Sequence, residues 1–241
     1  MTSPDDVTRD APRPVTAEAV RELDRRAIDD YGVPGVVLME NAGRGAAQLA
    51  RELLGDATGH VVILAGRGNN GGDGYVVARH LANAGIRTQT FVLASLADVS
   101  GDARVNLNII LNMGLPVTSV DLERDEDRQR VTDAFADASL IVDAILGTGA
   151  RGELRGAFRR AVELINASAK PVLALDIPTG LHADTGEVLG VAVKARATAT
   201  FLCPKLGLTR QDGPEHTGRV VVVNIGVPGD LPPLSRQGRS E

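Results

Sequence analysis

Cysteine is nearly absent from this chain. Cys203 is the only one, so no disulfide can form within it, and a reducing compartment, the cytoplasm, is the expected setting. Next to "ATATFL", Cys203 reads as a packed strand residue rather than a nucleophile. Histidine is sparse too. His60, His80, His182 and His216 show no paired ligand spacing, which argues against a zinc site of the usual kinds. No apolar stretch reaches the roughly 18 residues of a membrane span, so no membrane association is expected. Basic residues are outnumbered, 26 Lys and Arg against 31 Asp and Glu, which argues against a general nucleic-acid surface. The opening "MTSPDDVTRDAPRP" is acidic and proline-rich with no apolar core, unlike a secretory leader. Residues 1–14 and 230–241 are therefore expected to be flexible tails around a single domain, 15–229.

Within that domain the apolar residues alternate between two periods. After Thr16, a candidate N-cap, Val20, Leu23, Ala27, Ile28 and Tyr31 recur at helical spacing, followed by Met39, Ala42, Ala46, Leu49 and Leu53. From "VVILAG" onward, strand-like runs ("TQTFVLA", "LPVTSV", "LIVDAIL", "PVLALDIP", "TATFL", "RVVVVNIG") are interleaved with helical stretches around 76–84, 105–113, 128–136 and 158–167. This alternation predicts an α/β fold with a mainly parallel central sheet covered by helices on both faces.

In such sheets ligands bind beyond the carboxyl ends of the strands. Four of those ends carry polar chemistry here: "GRGNNGGDG", "DAILGTGARGE", "DIPTG" and "CPKLGL". Gly66, Gly68 and Gly71 satisfy the GxGxxG spacing of a phosphate-cradling turn. An ordinary NAD dehydrogenase also needs an acidic residue at the end of the second strand, and "FVLASLAD" offers none before Asp98. Asn69 and Asn70 can serve as turn formers or as ligands. With Asp143 and the 176–179 turn at neighbouring strand ends, one carboxylate, an amide oxygen and a hydroxyl form a hard oxygen set suited to a monovalent cation.

"GRGNNGGDGYVVARHL", "DAILGTGARGELRG", "LALDIPTGLHADTGEV" and "CPKLGL", in this order, closely resemble the NAD(P)H-hydrate epimerase family, also called the YjeF N-terminal domain. The likeness extends upstream to "GVVLMENAGRGAAQL" and downstream to "VVVVNIGVP". It implies a Rossmann-like three-layer α/β/α sandwich and an isomerase that interconverts the R and S epimers of hydrated NADH and NADPH. It also implies a potassium ion, a homodimer, and a separate ATP- or ADP-dependent dehydratase that accepts only the S form. Position by position, Asn69, Asn70, Gly71, Gly72 and Asp73 match the segment that contacts the hydrated cofactor. Gly147, Thr148, Gly149, Ala150, Arg151, Gly152 and Glu153 match a second cofactor loop, and Asp176 a further contact. Asn70, Asp143 and Thr179 match the potassium ligands, with Thr179 standing where the family usually has serine.

Each assignment has a plainer counterpart. Asp73 also fits as the cap of a helix starting near Gly74, and Arg155 reads as a solvated surface charge. The charge run "DLERDEDRQR" reads as a solvated loop and helix start. Asp176 is the candidate general acid/base, with Lys205 as an electrostatic helper or proton donor. The alternative to catalysis is a noncatalytic binding or dimerisation scaffold of the same fold, which would be expected to lose this constellation.

Overall fold

A computed structural model describes residues 13–57 and 59–227. The two expected tails fall largely outside the described residues, 1–12 and 228–241. Helices α1 (Ala17–Asp29) and α2 (Gly35–Leu54) precede the sheet. Then come β1 (His60–Ala65), α3 (Asn69–Asn83), β2 (Thr88–Val92), α4 (Gly101–Asn112), β3 (Val117–Ser119), α5 (Asp125–Asp137) and β4 (Ala138–Ala144). The chain closes with α6 (Gly156–Ala167), β5 (Val172–Leu175), β6 (Ala197–Phe201), α7 (Gly213–Thr217) and β7 (Arg219–Val223).

The sheet has seven strands, all parallel, in the order β3-β2-β1-β4-β5-β6-β7. β1 shows how two layers are glued to it. Its side chains alternate, so Val61, Ile63 and Ala65 join the core made with α1 to α4, while Val62 and Leu64 join the core made with α5 and α6. Burial on both faces explains why the run reads as continuously apolar rather than alternating. The result is the expected Rossmann-like three-layer sandwich. Its strand order reverses between β1 and β4, the position where open α/β sheets form their crevice.

The local readings also meet the structure. Thr16 Oγ1 accepts from the Ala19 amide at 3.1 Å and caps α1. Val20, Leu23 and Ala27 are buried as the period requires, but Ile28 and Tyr31, at 42% and 46% exposure, lie outside the core. Ile28 lies one residue off the buried face of α1, and Tyr31 falls beyond the helix end at Asp29. The acidic run begins α5 at Asp125. The larger correction concerns "GRGNNGGDG". It is not an extended loop followed by a helix: α3 starts at Asn69 with Gly68 as its N-cap, so Asp73 sits inside the helix and does not cap it.

Glycine makes that early start possible. A Cβ at Gly71 would fall 1.9 Å from the Gly66 carbonyl oxygen, backbone that cannot step aside. At Gly149 nothing lies within 4 Å. Gly71→Ala is therefore expected to lower stability by about 1–3 kcal/mol despite alanine's better helix propensity. Gly149→Ala should stay within about 0.5 kcal/mol. Urea unfolding of both variants checks the contrast.

Candidate active site

Four adjacent strands, β1, β4, β5 and β6, deliver the four polar segments to one edge of the sheet. The segment after β4 is the hub. Leu146 N donates to Thr179 Oγ1 at 3.1 Å and Thr148 N donates to Asp176 Oδ2 at 3.2 Å, tying the end of β4 to the turn after β5. Gly147 lies between them with no side chain to spare. A Cβ there would be 3.0 Å from Asp176 Oδ2 and 3.5 Å from Asn70 Oδ1, so its absence lets α3 and the β5 turn approach the same spot.

Asp143 is fully buried near the end of β4. Its Oδ2 accepts from the Thr179 amide at 2.8 Å, and its Oδ1 accepts from the Thr179 hydroxyl at 2.7 Å and the Ile145 amide at 3.3 Å. Burial pushes its carboxyl up to about 6, and these hydrogen bonds hold it from rising further. All three donors are neutral. Nearby, Asn70 is 8% exposed and both its amide atoms are buried without a hydrogen-bond partner. A buried carboxylate with no counter-charge in contact and an orphaned amide oxygen, with the Thr179 hydroxyl beside them, have the donor chemistry of a monovalent-cation site. Among the described residues no group of three His, Cys, Asp or Glu could hold a metal ion.

Asp176 and Lys205 form the second centre. Lys205 is fully buried, and its ammonium donates to Asp176 Oδ1, to Thr200 Oγ1 at 3.0 Å and to the Phe201 carbonyl at 2.9 Å. All three of its hydrogens are thus engaged. These contacts fix the Lys205 ammonium against the Asp176 carboxylate. Asp176 sits at φ 66°, a left-handed conformation that costs a non-glycine residue of order 1–3 kcal/mol and is stabilised here by its amide bond to Ala199 O at 2.8 Å.

The remaining predicted residues divide by exposure. Gly71, Gly72 and Asp73 are buried in the first two turns of α3, while Asn69 is exposed at its tip. No acidic residue occupies that first turn, which carries the positive end of the helix dipole. Gly147, Thr148 and Ala150 are half-buried, and Gly149, Arg151, Gly152 and Glu153 are exposed. Arg151 folds back onto the Thr148 and Ala150 carbonyls of its own loop, and Glu153 faces Arg155 and Arg159. Arg155, 85% exposed at its side chain, is a surface charge.

Asp24 of α1 escaped the sequence reading. Its carboxyl is largely buried, with Oδ1 unpartnered, and burial, aided by the charge of Asp176, pushes it up to about 6. The signal was present: an aspartate one turn after Val20 interrupts the apolar stripe Val20, Leu23, Ala27.

The model of the YjeF-related protein N-terminus family matches residues 35–207. The chain is 42% identical over 218 residues to an NAD(P)H-hydrate epimerase of Rhodopirellula baltica, covering 90% of this chain and 86% of the relative. It is 44% identical to one of Pirellula staleyi, covering 88% and 91%. A bifunctional NAD(P)H-hydrate repair enzyme Nnr of Salinibacter ruber is 43% identical over 223 residues, 90% of this chain but 41% of that enzyme. The chain thus spans most of the epimerases and about two-fifths of the bifunctional relative. Its backbone is similar to that of yeast ynu0, with a TM-score of 0.73 at 23% identity and 87% coverage of each chain.

The raised carboxyl of Asp24 has a stability consequence. A folded-state acid shifted from 3.8 to about 6 holds its proton more tightly than the unfolded chain does. Wild-type stability is therefore expected to fall relative to Asp24→Asn as pH rises from about 4 to 6, then to run parallel above that window. Urea unfolding of both proteins between pH 4 and 7 measures it.

Proposed function

The chain belongs to the YjeF-related protein N-terminus family, and from that premise we propose that it is an isomerase interconverting the R and S epimers of hydrated NADH and NADPH. The observation that carries this reading is the Asp176–Lys205 pair set beside the open amino end of α3 at the strand-order reversal. Damaged cofactor and site match in kind. The pyrophosphate suits the positive amino end of α3, while the hydroxyl-bearing ring needs a group that exchanges protons with oxygen.

Inverting the hydroxyl-bearing carbon requires its C–O bond to break and re-form. Asp176, held by the buried ammonium of Lys205, is the base that takes a proton from oxygen. Its left-handed backbone and the Thr148 amide on Oδ2 fix the direction of that carboxylate. Asn70, Asp143 and Thr179 would hold the potassium ion. When bound, the ion supplies a fixed positive charge that neutralises Asp143 and orders the strand-end segments.

A dehydratase acting on the S epimer consumes the product, so this step returns the R epimer to use. An S-specific dehydratase is then the functional partner of this domain, with the cytoplasm as the setting of both. A homodimer is supported by an apolar surface where the end of α1 and the starts of α2 and α4 meet, carrying Ile28, Val37 and Val105, all more than 40% exposed.

The test of the activity is to supply R-hydrated NADH with an excess of S-specific dehydratase. Addition of this protein is expected to accelerate full recovery of NADH, with Asp176→Asn slower by about 100-fold or more. Recovery no faster than without the protein overturns the reading. For the ion, the melting temperature is expected to be a few degrees higher in potassium chloride than in choline chloride at equal ionic strength. Asn70→Ala should abolish that difference.

A further inference from the structure

Epimerisation needs an acid as well as a base, and the two groups discussed so far cannot supply it. Asp176 is paired with an ammonium, and all three hydrogens of Lys205 are held by acceptors. Yet three carboxyl groups from three separate elements gather here: Asp24 from α1, Asp73 from α3 and Asp176 after β5, near enough for their charges to act on one another. Only Asp176 receives a bond from Lys205. Among the described residues, the carboxyls of Asp24 and Asp73 meet no cation at ion-pair distance and accept no hydrogen bond, and Asp24 Oδ1 is buried unpartnered.

Asp73 is well placed. It lies three residues after Asn70 on α3, hence on the same helix face, and Asn70 Oδ1 and Asp176 Oδ2 flank Gly147. It is buried except for 8% of its surface. We propose that Asp73 is the catalytic acid that protonates the departing hydroxyl of the hydrated nicotinamide ring, and that Asp24 of α1 is its positioning carboxylate. This rests on the epimerase reading above.

The step balances without a co-reactant. Asp73 gives its proton to the ring hydroxyl, the C–O bond breaks with its electron pair leaving on water, and the ring nitrogen lone pair forms the C=N bond of a cationic ring. Water then adds to the opposite face of the same carbon, the C=N pair returns to nitrogen, Asp176 takes the proton released from the added water, and proton exchange with solvent reprotonates Asp73 and frees Asp176 for the next turnover. Desolvation comes first among the causes that raise the Asp73 carboxyl well above the ordinary aspartate range, followed by the nearby negative charges of Asp176 and Asp24 and opposed by Lys205. These are the ionisable groups that act on it from α1, from the β5 turn and from the segment after β6.

The experiment uses the full chain in the coupled recovery assay, with calorimetric binding of S-hydrated NADH alongside. Asp73→Asn, nearly isosteric, is expected to lower kcat by about 100-fold or more while the binding constant moves less than threefold. Asp24→Asn is expected to keep measurable turnover and to move the alkaline limb of the pH–rate profile to lower pH, which a merely structural contact would not do. Wild-type kcat in Asp73→Asn, or a loss confined to binding, overturns the assignment of the acid. An unmoved alkaline limb in Asp24→Asn overturns the second role. Inactive wild-type protein instead overturns the epimerase reading itself. Carbon-13 carboxyl NMR of aspartate-labelled wild-type protein gives an independent answer should a variant fail to fold. One carboxyl still protonated at pH 7 is expected, and complete ionisation overturns the proposal.

Discussion

The burial of the Lys205 ammonium is the constraint on which the rest of this site depends. A charge withdrawn from water must be met by acceptors on every hydrogen, and the chain meets it with Asp176, the Thr200 hydroxyl and the Phe201 carbonyl. That requirement ties together the end of β5, the last turn of β6 and the segment beyond it. It also explains why Asp176 occupies a left-handed conformation that its residue type disfavours: the salt bridge and the Thr148 amide hold both carboxylate oxygens in place. Across the hub segment, Asp143 is treated differently, with three neutral donors and no cation in contact. Asp143 and Asp176 therefore carry different chemistry at the same sheet edge.

Much of this was readable from the sequence because it follows from local rules. The alternation of apolar runs and helical periods places every strand, and the polar residues just after four of them mark one crevice. The side chains named as ion ligands and cofactor contacts came from a resemblance between motifs rather than from periodicity. What could not be read was register in space. "GRGNNGGDG" has the composition of a loop, and its glycines are needed because α3 begins two turns early against Gly66, Met39 and Ala144. Helix propensity counts such residues as breakers, whereas close packing requires them.

Asp24 shows a different limit. Its position on an apolar stripe was visible, but its meaning depends on α1 being brought to the β6 end of the sheet by tertiary contacts between segments far apart in sequence. Main-chain bonds make that connection: Val15 N donates to Pro204 O at 2.9 Å and Leu206 N to Val15 O at 3.0 Å, with the Ala17 amide donating to Asp184 Oδ1 at 2.6 Å. A carboxyl on the wrong side of an amphipathic helix becomes interpretable only once its neighbours are known.

The same main-chain strap bears on where the working unit begins. The family match opens at residue 35, inside the fold as the molecule builds it. A fragment trimmed to that match would discard the strap across Lys205, the helix that brings Asp24, and β7 at the far edge of the sheet. Statistical likeness and mechanical integrity thus draw their borders at different places, and for excision, fusion or transplantation of this domain the border set by the strap is the one to respect.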